Sequence, residues 1–220
     1  LIEIGVPFSD PTAEGPVIQD ANIRALNKGI TMDDIFGIVE KVRENTQIPL
    51  VFLTYMNPVH HYGYEAFFEK CEETGVDGII TPELPYEEKG ELKDFADRHG
   101  IDLISMIAPT SDERIQMIAK ESSGFVYVVS SLGVTGVRSS ITTDVETIVG
   151  KIKEVTDVPC AVGFGISTPE QAGAMAAVSD GAIVGSAIVK IIAEHGEAAG
   201  PELYKYVKSM KDACRQEVQD

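Results

Sequence analysis

Short runs of apolar residues recur along the chain and are separated by longer amphipathic stretches. Most of these runs are continuous rather than alternating, which is typical of strands buried on both faces of a parallel sheet. Their β-branched residues favour strand over helix at this length. The pattern predicts seven strands, in the segments 1–6, 49–55, 77–84, 102–108, 124–131, 160–166 and 181–185.

Helical periodicity occupies the intervals between these strands. Thr31 and Asp34 form one helix start, and apolar residues then recur on a single face as far as Val42. Thr168 and Gln171 form a second start, with a proline at the first helical position. Further helical periodicity is found in the ranges 63–74, 86–99, 111–121, 144–156 and 201–216. The alternation predicts an α/β protein with parallel strands and right-handed crossovers.

Two architectures fit this alternation, an open doubly wound sheet and a (β/α)8 barrel, the TIM-barrel fold. A typical barrel uses about 31 residues for each βα unit, and 220 residues divided among seven strands also give about 31. No Gly-x-Gly-x-x-Gly turn follows the first strand, which disfavours a dinucleotide-binding sheet. We therefore predict a single TIM-barrel domain over residues 1–220, with seven βα units and with the first unit missing from this chain.

Composition and charge exclude several classes of partner. The 18 Lys and Arg against 35 Asp and Glu give a net charge of -17, which repels nucleic acids and anionic membrane surfaces. An anionic small substrate would therefore need a local site made by backbone amides. The odd set Cys71, Cys160 and Cys214 is typical of reduced thiols in a cytoplasmic protein. No apolar run reaches about 18 residues, and no signal-peptide pattern is found.

The first strand and the loop after it hold the most informative polar residues. Active sites of (β/α)8 barrels lie at the C-terminal ends of the strands. Glu3 lies within an apolar strand, where a buried carboxylate is costly unless it is paired, protonated or used in chemistry. A glutamate at a solvent-exposed chain start is the alternative. The following loop carries Ser9, Asp10 and Glu14 among prolines and glycines, and a loop of this length suggests function.

Glycines follow the last two predicted strands. Gly163 and Gly165 end the sixth strand, and Gly185 and Ser186 follow the seventh at the start of a helix. Glycines allow close approach of the backbone to a ligand, and free N–H groups at a helix start bind anions. The last two strands of a barrel are a recurring place for such sites, so we predict a phosphate cradle there.

The polar loop 130–144 follows the strand that carries Tyr127, and it could close over a substrate as a lid. A mobile surface loop is the alternative. The histidines do not form a ligand set, because His60 and His61 are placed in a loop and the other two near helix ends. We predict no metal site.

Five motifs together resemble the tryptophan synthase alpha chain family. They are IEIGVPFSDPTAEGPVIQ (2–19), TYMNP (54–58), LGVTG (132–136), GFGIS (163–167) and GAIVGSAIVK (181–190). The resemblance runs in register from Leu1 to the C-terminal helix. It implies a (β/α)8 barrel and a lyase that cleaves indole-3-glycerol phosphate to indole and glyceraldehyde 3-phosphate in a retro-aldol reaction of tryptophan biosynthesis.

The resemblance also implies roles for individual residues. Glu3 corresponds to the catalytic glutamate that transfers protons, and Glu14 to the second carboxylate, which accepts from the indole N–H. The matching substrate-binding residues are Tyr127 and Thr135. The matching phosphate-binding residues are Gly136, Gly165, Gly185 and Ser186.

A partner is implied as well. The loop that holds Tyr55, Asn57 and Pro58 corresponds to a contact with the beta chain, in an expected alpha-beta-beta-alpha hetero-tetramer. The resemblance places pyridoxal phosphate in that partner and no cofactor in this chain, and it implies a cytoplasmic enzyme.

The chain departs from the family pattern in two ways. Glu14 stands where the family typically has Asp, and the segment before Leu1 is missing, which in the family supplies an apolar wall of the indole pocket. Two alternatives stay open: a truncated or inactive alpha chain that only binds or activates the beta chain, and another phosphate-binding TIM-barrel aldolase or isomerase. None of the seven strand segments contains the Lys of a Schiff-base aldolase.

Overall fold

The computed structural model describes residues 1–130, 138–163 and 165–216, without the side chains of 138–143 and 216. Contacts within the chain divide it into two compact units, Leu1–Ile104 and Ser105–Asp220. Each unit is built from βα repeats with its own parallel sheet. The assignment of residues 1–220 to one domain stays a prediction.

All seven predicted strand segments contain strands. The first unit has a sheet in the order β1-β2-β3-β4 and the second a sheet in the order β5-β6-β7-β8, with every neighbouring pair parallel. The fourth segment is divided at Ile104 into β4 and β5. The strands are β1 Ile2–Gly5, β2 Leu50–Leu53, β3 Gly78–Ile80, β4 Asp102–Leu103, β5 Ser105–Ile107, β6 Val126–Val129, β7 Cys160–Gly163 and β8 Gly181–Ala182.

Helices follow the strands, and short 3₁₀ turns lie at Tyr86–Glu88 and Gly196–Ala198. Both predicted capping boxes are confirmed, at Thr31 and at Thr168. The helices are α1 Pro16–Leu26, α2 Met32–Arg43, α3 Met56–Tyr62, α4 Tyr64–Thr74, α5 Gly90–His99, α6 Asp112–Lys120, α7 Arg138–Lys153, α8 Pro169–Ala176, α9 Ser186–His195 and α10 Gly200–Gln216.

Two local expectations were wrong. His60 and His61 lie in helix α3 and not in a loop, because the carboxylate of Glu83 accepts a hydrogen bond from the Met56 N–H and caps this seven-residue helix from a distant loop. Helix α7 begins at Arg138, inside the segment 130–144 that the polar composition assigned to a loop. Long-range capping and helix extension of this kind are not visible in local periodicity.

The two faces of the first sheet differ in chemistry. Phe52 on β2 faces the helices, where its ring lies 5.6 Å from that of Phe36 on α2 and 6.3 Å from that of Phe67 on α4. The register pairs Ile4 with Phe52, so β1 contributes Ile4 to this packed face. Since strand side chains alternate, Glu3 points from the opposite face of β1.

An aspartate at the start of a strand anchors the N-terminal edge of each sheet. In the first unit, Asp77 Oδ2 accepts from the Leu50 N–H at 2.7 Å and pairs with Arg43 at 2.6 Å. In the second, Asp180 Oδ2 accepts from the Cys160 N–H at 2.7 Å and pairs with Lys153 at 2.9 Å. These contacts lower the pKa of Asp180 against the opposing effect of burial. Each aspartate thus ties a strand to the helix that precedes it.

Arg43 also holds two neighbouring loops. Its Nε donates to the Gly75 carbonyl at 2.8 Å, and its Nη1 donates to the Ile48 carbonyl at 2.6 Å. The side chain is 13% exposed, so these bonds are largely shielded from water. The loop before β2 and the loop before β3 therefore depend on one guanidinium group.

We expect Arg43→Ala to lower the free energy of unfolding by about 2–3 kcal/mol, because it leaves shielded carbonyls and the Asp77 carboxylate without their donor. Arg24→Ala, which removes an exposed arginine of α1, is the matched control and should change stability by less than about 0.5 kcal/mol. Urea denaturation of both variants measures the difference. Equal losses would show that Arg43 has no special structural role.

Candidate active site

Glu3 lies in the middle of β1, paired in register with Val51 on β2. Its Oε1 is fully buried and has no hydrogen-bond partner among the residues that the structure describes. Burial raises the pKa of the Glu3 carboxyl to about 7, from an ordinary value of 4.5. Glu3 is therefore half-protonated near neutral pH, which suits a group that must both donate and accept a proton. The alternative of a freely solvated glutamate at the chain start does not fit this burial.

Glu14 lies in the loop after β1, just before the N-terminus of α1. Its Oε2 accepts a hydrogen bond from Asn22 Nδ2 at 3.4 Å, and its carbonyl accepts from Gln19 Nε2 at 2.8 Å. Both donors belong to α1, and the Asn22 side chain is buried. The helix therefore fixes the backbone and the carboxylate of Glu14 together.

Tyr55 supports this loop from the end of β2. Its side chain is 1% exposed, its hydroxyl accepts from the Ala13 N–H at 3.0 Å, and it hydrogen-bonds the Glu14 carboxylate. The ring of Phe8 lies 5.3 Å from the Tyr55 ring. The side chains of Phe8, Thr12 and Glu14 and the Ala13 amide thus all contact this one buried tyrosine.

Burial and the two hydrogen-bond donors, Tyr55 and Asn22, have opposite effects on the pKa of Glu14. Burial raises its pKa, while the hydrogen bonds from Tyr55 and Asn22 lower it and do not fully compensate. Burial also raises the pKa of Tyr55, so its hydroxyl remains protonated and able to donate. The first unit therefore carries two carboxyl groups whose pKa burial raises, Glu3 on β1 and Glu14 in the loop that follows it.

The segment after β2 was predicted to contact a partner chain. Burial gives the Tyr55 side chain a supporting role beneath Glu14 and leaves it almost no surface for a partner. Asn57 is exposed on α3 and Pro58 is half-buried beside it. A partner contact of Asn57 and Pro58 stays a prediction.

In the second unit, Tyr127 on β6 lies over Gly163 of β7. A side chain at Gly163 would overlap with the Tyr127 ring, so this close approach requires glycine. The adjacent strand pairs Tyr127 with Ala161, which places both residues on the face opposite the buried Val126 and Val128. The predicted substrate-binding residue is therefore half-buried with its ring directed toward the end of β7.

The predicted phosphate-binding glycines lie just beyond β7 and β8. The register pairs Ala161 with Gly181 and Val162 with Ala182, so β7 and β8 run side by side up to these glycine segments. Gly165 is exposed and has a φ of 81°, a conformation that side chains disfavour. Gly185 is the N-cap of α9 without a side-chain cap, and the space where its Cβ would lie is open.

Ser186 begins the ten-residue helix α9 and is exposed. The N-terminus of the preceding helix α8 is occupied instead by its own capping box. Free N–H groups and the helix dipole are favourable to an anion at this N-terminus, and phosphate binding there stays a prediction. The predicted residues Thr135 and Gly136 lie outside the described residues.

Two features are absent from the residues that the structure describes. None of their helices is both long and apolar enough to cross a membrane. Within the same residues, no group of three His, Cys, Asp or Glu side chains is arranged to hold a metal ion.

Sequence reasoning missed the contacts of Asn22 and of the Tyr55 hydroxyl with Glu14. A signal for Asn22 was present, because it follows Ile18 by four residues and so lies on the same helical face as an apolar side chain. Nothing local indicates the Tyr55 contact, since 42 residues separate Ala13 from Tyr55.

Comparison with known proteins gives a consistent result. The sequence pattern of the family described as "Tryptophan synthase alpha chain" matches residues 1–217. The alpha chain of Lactiplantibacillus plantarum is 53% identical over 214 residues, which cover 97% of this chain and 81% of that protein. The alpha chain of Lacticaseibacillus casei is 47% identical over 213 residues, which cover 97% and 80%.

Solved structures share the fold. The alpha subunit of tryptophan synthase from Campylobacter jejuni has a TM-score of 0.85 and 34% identity, with 94% of this chain and 82% of that chain covered. A structure of the tryptophan synthase a2b2 complex from Pyrococcus furiosus has a TM-score of 0.86 and 37% identity, with 96% and 86% covered. The predicted fold class, an α/β protein of the (β/α)8-barrel type with parallel strands, is confirmed.

We expect Gly163→Ala to lower the free energy of unfolding by about 1–3 kcal/mol, because the added methyl group overlaps with the Tyr127 ring. The double variant Gly163→Ala with Tyr127→Ala should recover most of that loss, since the obstructing ring is removed. Chemical denaturation of the two single variants and the double variant measures the coupling. Strict additivity would contradict the contact.

Proposed function

Because the chain belongs to the tryptophan synthase alpha chain family, we propose that it cleaves indole-3-glycerol phosphate to indole and glyceraldehyde 3-phosphate. Membership of this family makes it an enzyme of lyase type in tryptophan synthesis. The reaction is a retro-aldol cleavage of the bond between C3 of the indole ring and the glycerol phosphate chain. The observation that carries the proposal is the Glu3 carboxyl, whose Oε1 is buried without a partner among the described residues and whose pKa burial raises to about 7.

The cleavage needs three actions from the protein. A proton must reach C3 of the indole ring, a proton must leave the hydroxyl on the adjacent side-chain carbon, and the ring N–H must be stabilised as positive charge develops. Proton transfers and a fixed negative charge meet these needs, so we propose that this chain acts without a cofactor of its own.

Glu3 is proposed as the acid and base. In its protonated form it donates to the indole C3, which makes the ring cationic. The resulting carboxylate then accepts the hydroxyl proton as the carbon–carbon bond breaks and the aldehyde forms. The bond electrons neutralise the ring and release indole, and Glu3 ends protonated as it began. A pKa near 7 allows both transfers at neutral pH.

Glu14 is proposed as the acceptor for the indole N–H. Asn22 and Tyr55 hydrogen-bond its carboxylate and favour the ionised form that the role needs, against the burial that raises its pKa overall. The side chain is one methylene longer than the aspartate typical of the family, and displacement of about 1 Å can cost about 100-fold in rate. These two contacts support the view that the longer side chain is held in place and is active.

Gly165, Gly185 and Ser186 are proposed to bind the substrate phosphate. The uncapped N-terminus of α9 supports this role because it provides N–H donors and positive potential in a protein of net charge -17. Thr135 and Gly136 stay predictions for the lid and the phosphate site. The half-buried Tyr127 is proposed to contact the substrate.

A beta chain is proposed as the partner. The Pyrococcus furiosus structure is described as an a2b2 complex with mutual activation, and we propose a corresponding complex here, with Asn57 and Pro58 in the contact. Pyridoxal phosphate in that partner and a cytoplasmic location remain expectations. A second candidate function, activation of the beta chain without catalysis, is favoured by Glu14, which stands where the family typically has Asp.

We expect Glu3→Gln to abolish indole release, by at least about 1,000-fold in kcat, because the amide cannot transfer the proton. In the wild type, kcat/KM should fall as the pH rises through about 7, since deprotonation removes the acid. The assay measures indole formed from indole-3-glycerol phosphate, with and without beta chain. Activation of the beta chain without indole release by the wild type would instead establish the non-catalytic function.

The same variant tests the burial of the carboxyl. Because folding raises the pKa of Glu3 above its ordinary value, the ionised group destabilises the protein progressively as the pH rises from 4.5 to about 7. Glu3→Gln should therefore be more stable than the wild type at pH 8, with this advantage absent below pH 4.5. A pH-independent difference in unfolding free energy would contradict the burial.

We expect Tyr55→Phe to lower kcat/KM about tenfold, because Glu14 and the Ala13 amide lose a partner. Its hydroxyl lowers the pKa of Glu14, so the variant should lose activity at a higher pH on the acidic side of the profile. Tyr64→Phe is the control, since the Tyr64 hydroxyl donates to the exposed Glu91 and has no contact with Glu14 among the bonds of the described residues. An unshifted acidic limb in Tyr55→Phe would refute the positioning of Glu14.

A further inference from the structure

Residues 166–168, which connect Gly165 to α8, are held by contacts with other parts of the second unit. Ile166 is 4% exposed and so is anchored in the apolar interior. Ser167 follows with its N–H donating to Gln171 Oε1 at 2.8 Å. The same amide oxygen accepts from the Thr168 N–H at 3.1 Å. Three consecutive residues after Gly165 are therefore fixed in place.

The remaining backbone group of Ser167 is held by another helix. The Ser167 carbonyl accepts a hydrogen bond of 2.8 Å from the hydroxyl of Tyr206 on α10. Tyr206 is half-buried, and α10 packs against α8, whose N-cap is Thr168. Ser167 is thus clamped by Gln171 on one side and Tyr206 on the other.

The hydrogen bonds of Ser167 to Gln171 and Tyr206 limit the conformations open to the backbone of Gly165. Gly165 has a φ of 81°, in a region where glycine is flexible and free to take other conformations at little cost. Its N–H and carbonyl directions are therefore set by what holds the residues around it. Two residues further along the chain, the clamp at Ser167 restricts that freedom from the C-terminal side.

We propose that Tyr206 is a positioning residue for phosphate, acting through the Ser167 carbonyl to hold the Gly165 loop in its binding conformation. The proposal rests on the proposed phosphate-binding role of Gly165 and adds α10 to the residues that set phosphate affinity. A positioned loop binds an anion more tightly because less backbone freedom is lost on binding. The chemistry at the indole ring is not affected by this contact.

The test compares Tyr206→Phe with the wild type in the intact protein. We expect the KM for indole-3-glycerol phosphate and the dissociation constant of inorganic phosphate, measured by calorimetric titration, to rise together about threefold to tenfold, the factor for one ordinary hydrogen bond. The kcat should stay unchanged. Tyr204→Phe, on the same helix at 69% exposure, is the matched control and should leave both constants unchanged.

The outcomes separate this inference from the proposed function. A wild type that binds phosphate but releases no indole would overturn the proposed function, and the ratio of phosphate affinities in Tyr206→Phe would still decide the role of Tyr206. Unchanged KM and phosphate affinity in Tyr206→Phe would overturn the inference. A parallel fall in kcat and thermal stability, or a wild type without phosphate affinity, would also overturn it.

Discussion

The parallel pairing of β1 with β2 is the constraint on which the first unit depends. Its register sets Ile4 beside Phe52 on the face that packs against the helices, and Glu3 beside Val51 on the other face. A shift by one residue would exchange the two faces, burying a carboxylate among phenylalanine rings. The same strand β2 leads directly into Tyr55, which supports the Glu14 loop. Apolar packing on one face therefore decides where the carboxylates lie on the other.

Carboxylates at the N-terminal ends of the strands differ in environment from Glu3 inside β1. At the N-terminal edges, Asp77 and Asp180 each accept a backbone N–H and pair with a cation from the preceding helix. These carboxylates are satisfied, and their contacts stabilise the fold. In the interior of β1, Glu3 retains an oxygen without a partner in the described part of the chain. Such an arrangement costs stability, and proton-transfer groups with a pKa near neutrality require that kind of environment.

Glu14 shows how a longer side chain can be kept in a functional position. The carboxylate receives hydrogen bonds from Asn22 on α1 and from Tyr55 at the end of β2, and the neighbouring Ala13 amide is bound to the same hydroxyl. The second unit uses a comparable device, since Ser167 is held by Gln171 and Tyr206. In both loops, side chains from neighbouring elements restrain a backbone segment that carries the proposed chemistry. Precision at these positions is thus supplied by elements outside the loops.

Sequence alone determined the strand segments, the two capping boxes and the positions of Glu3 and the glycines, because these depend on local periodicity, on hydrogen bonds within one helical turn and on residue spacing within a motif. It did not determine helix α3, whose cap Glu83 comes from a loop 27 residues away. Only the tertiary structure decided that Tyr55 is buried beneath Glu14 and that Tyr206 holds the Ser167 carbonyl. These contacts join residues 42 and 39 positions apart. The pKa of Glu3 was likewise a tertiary property, because desolvation depends on every neighbour that excludes water from the carboxyl, wherever it lies in the chain.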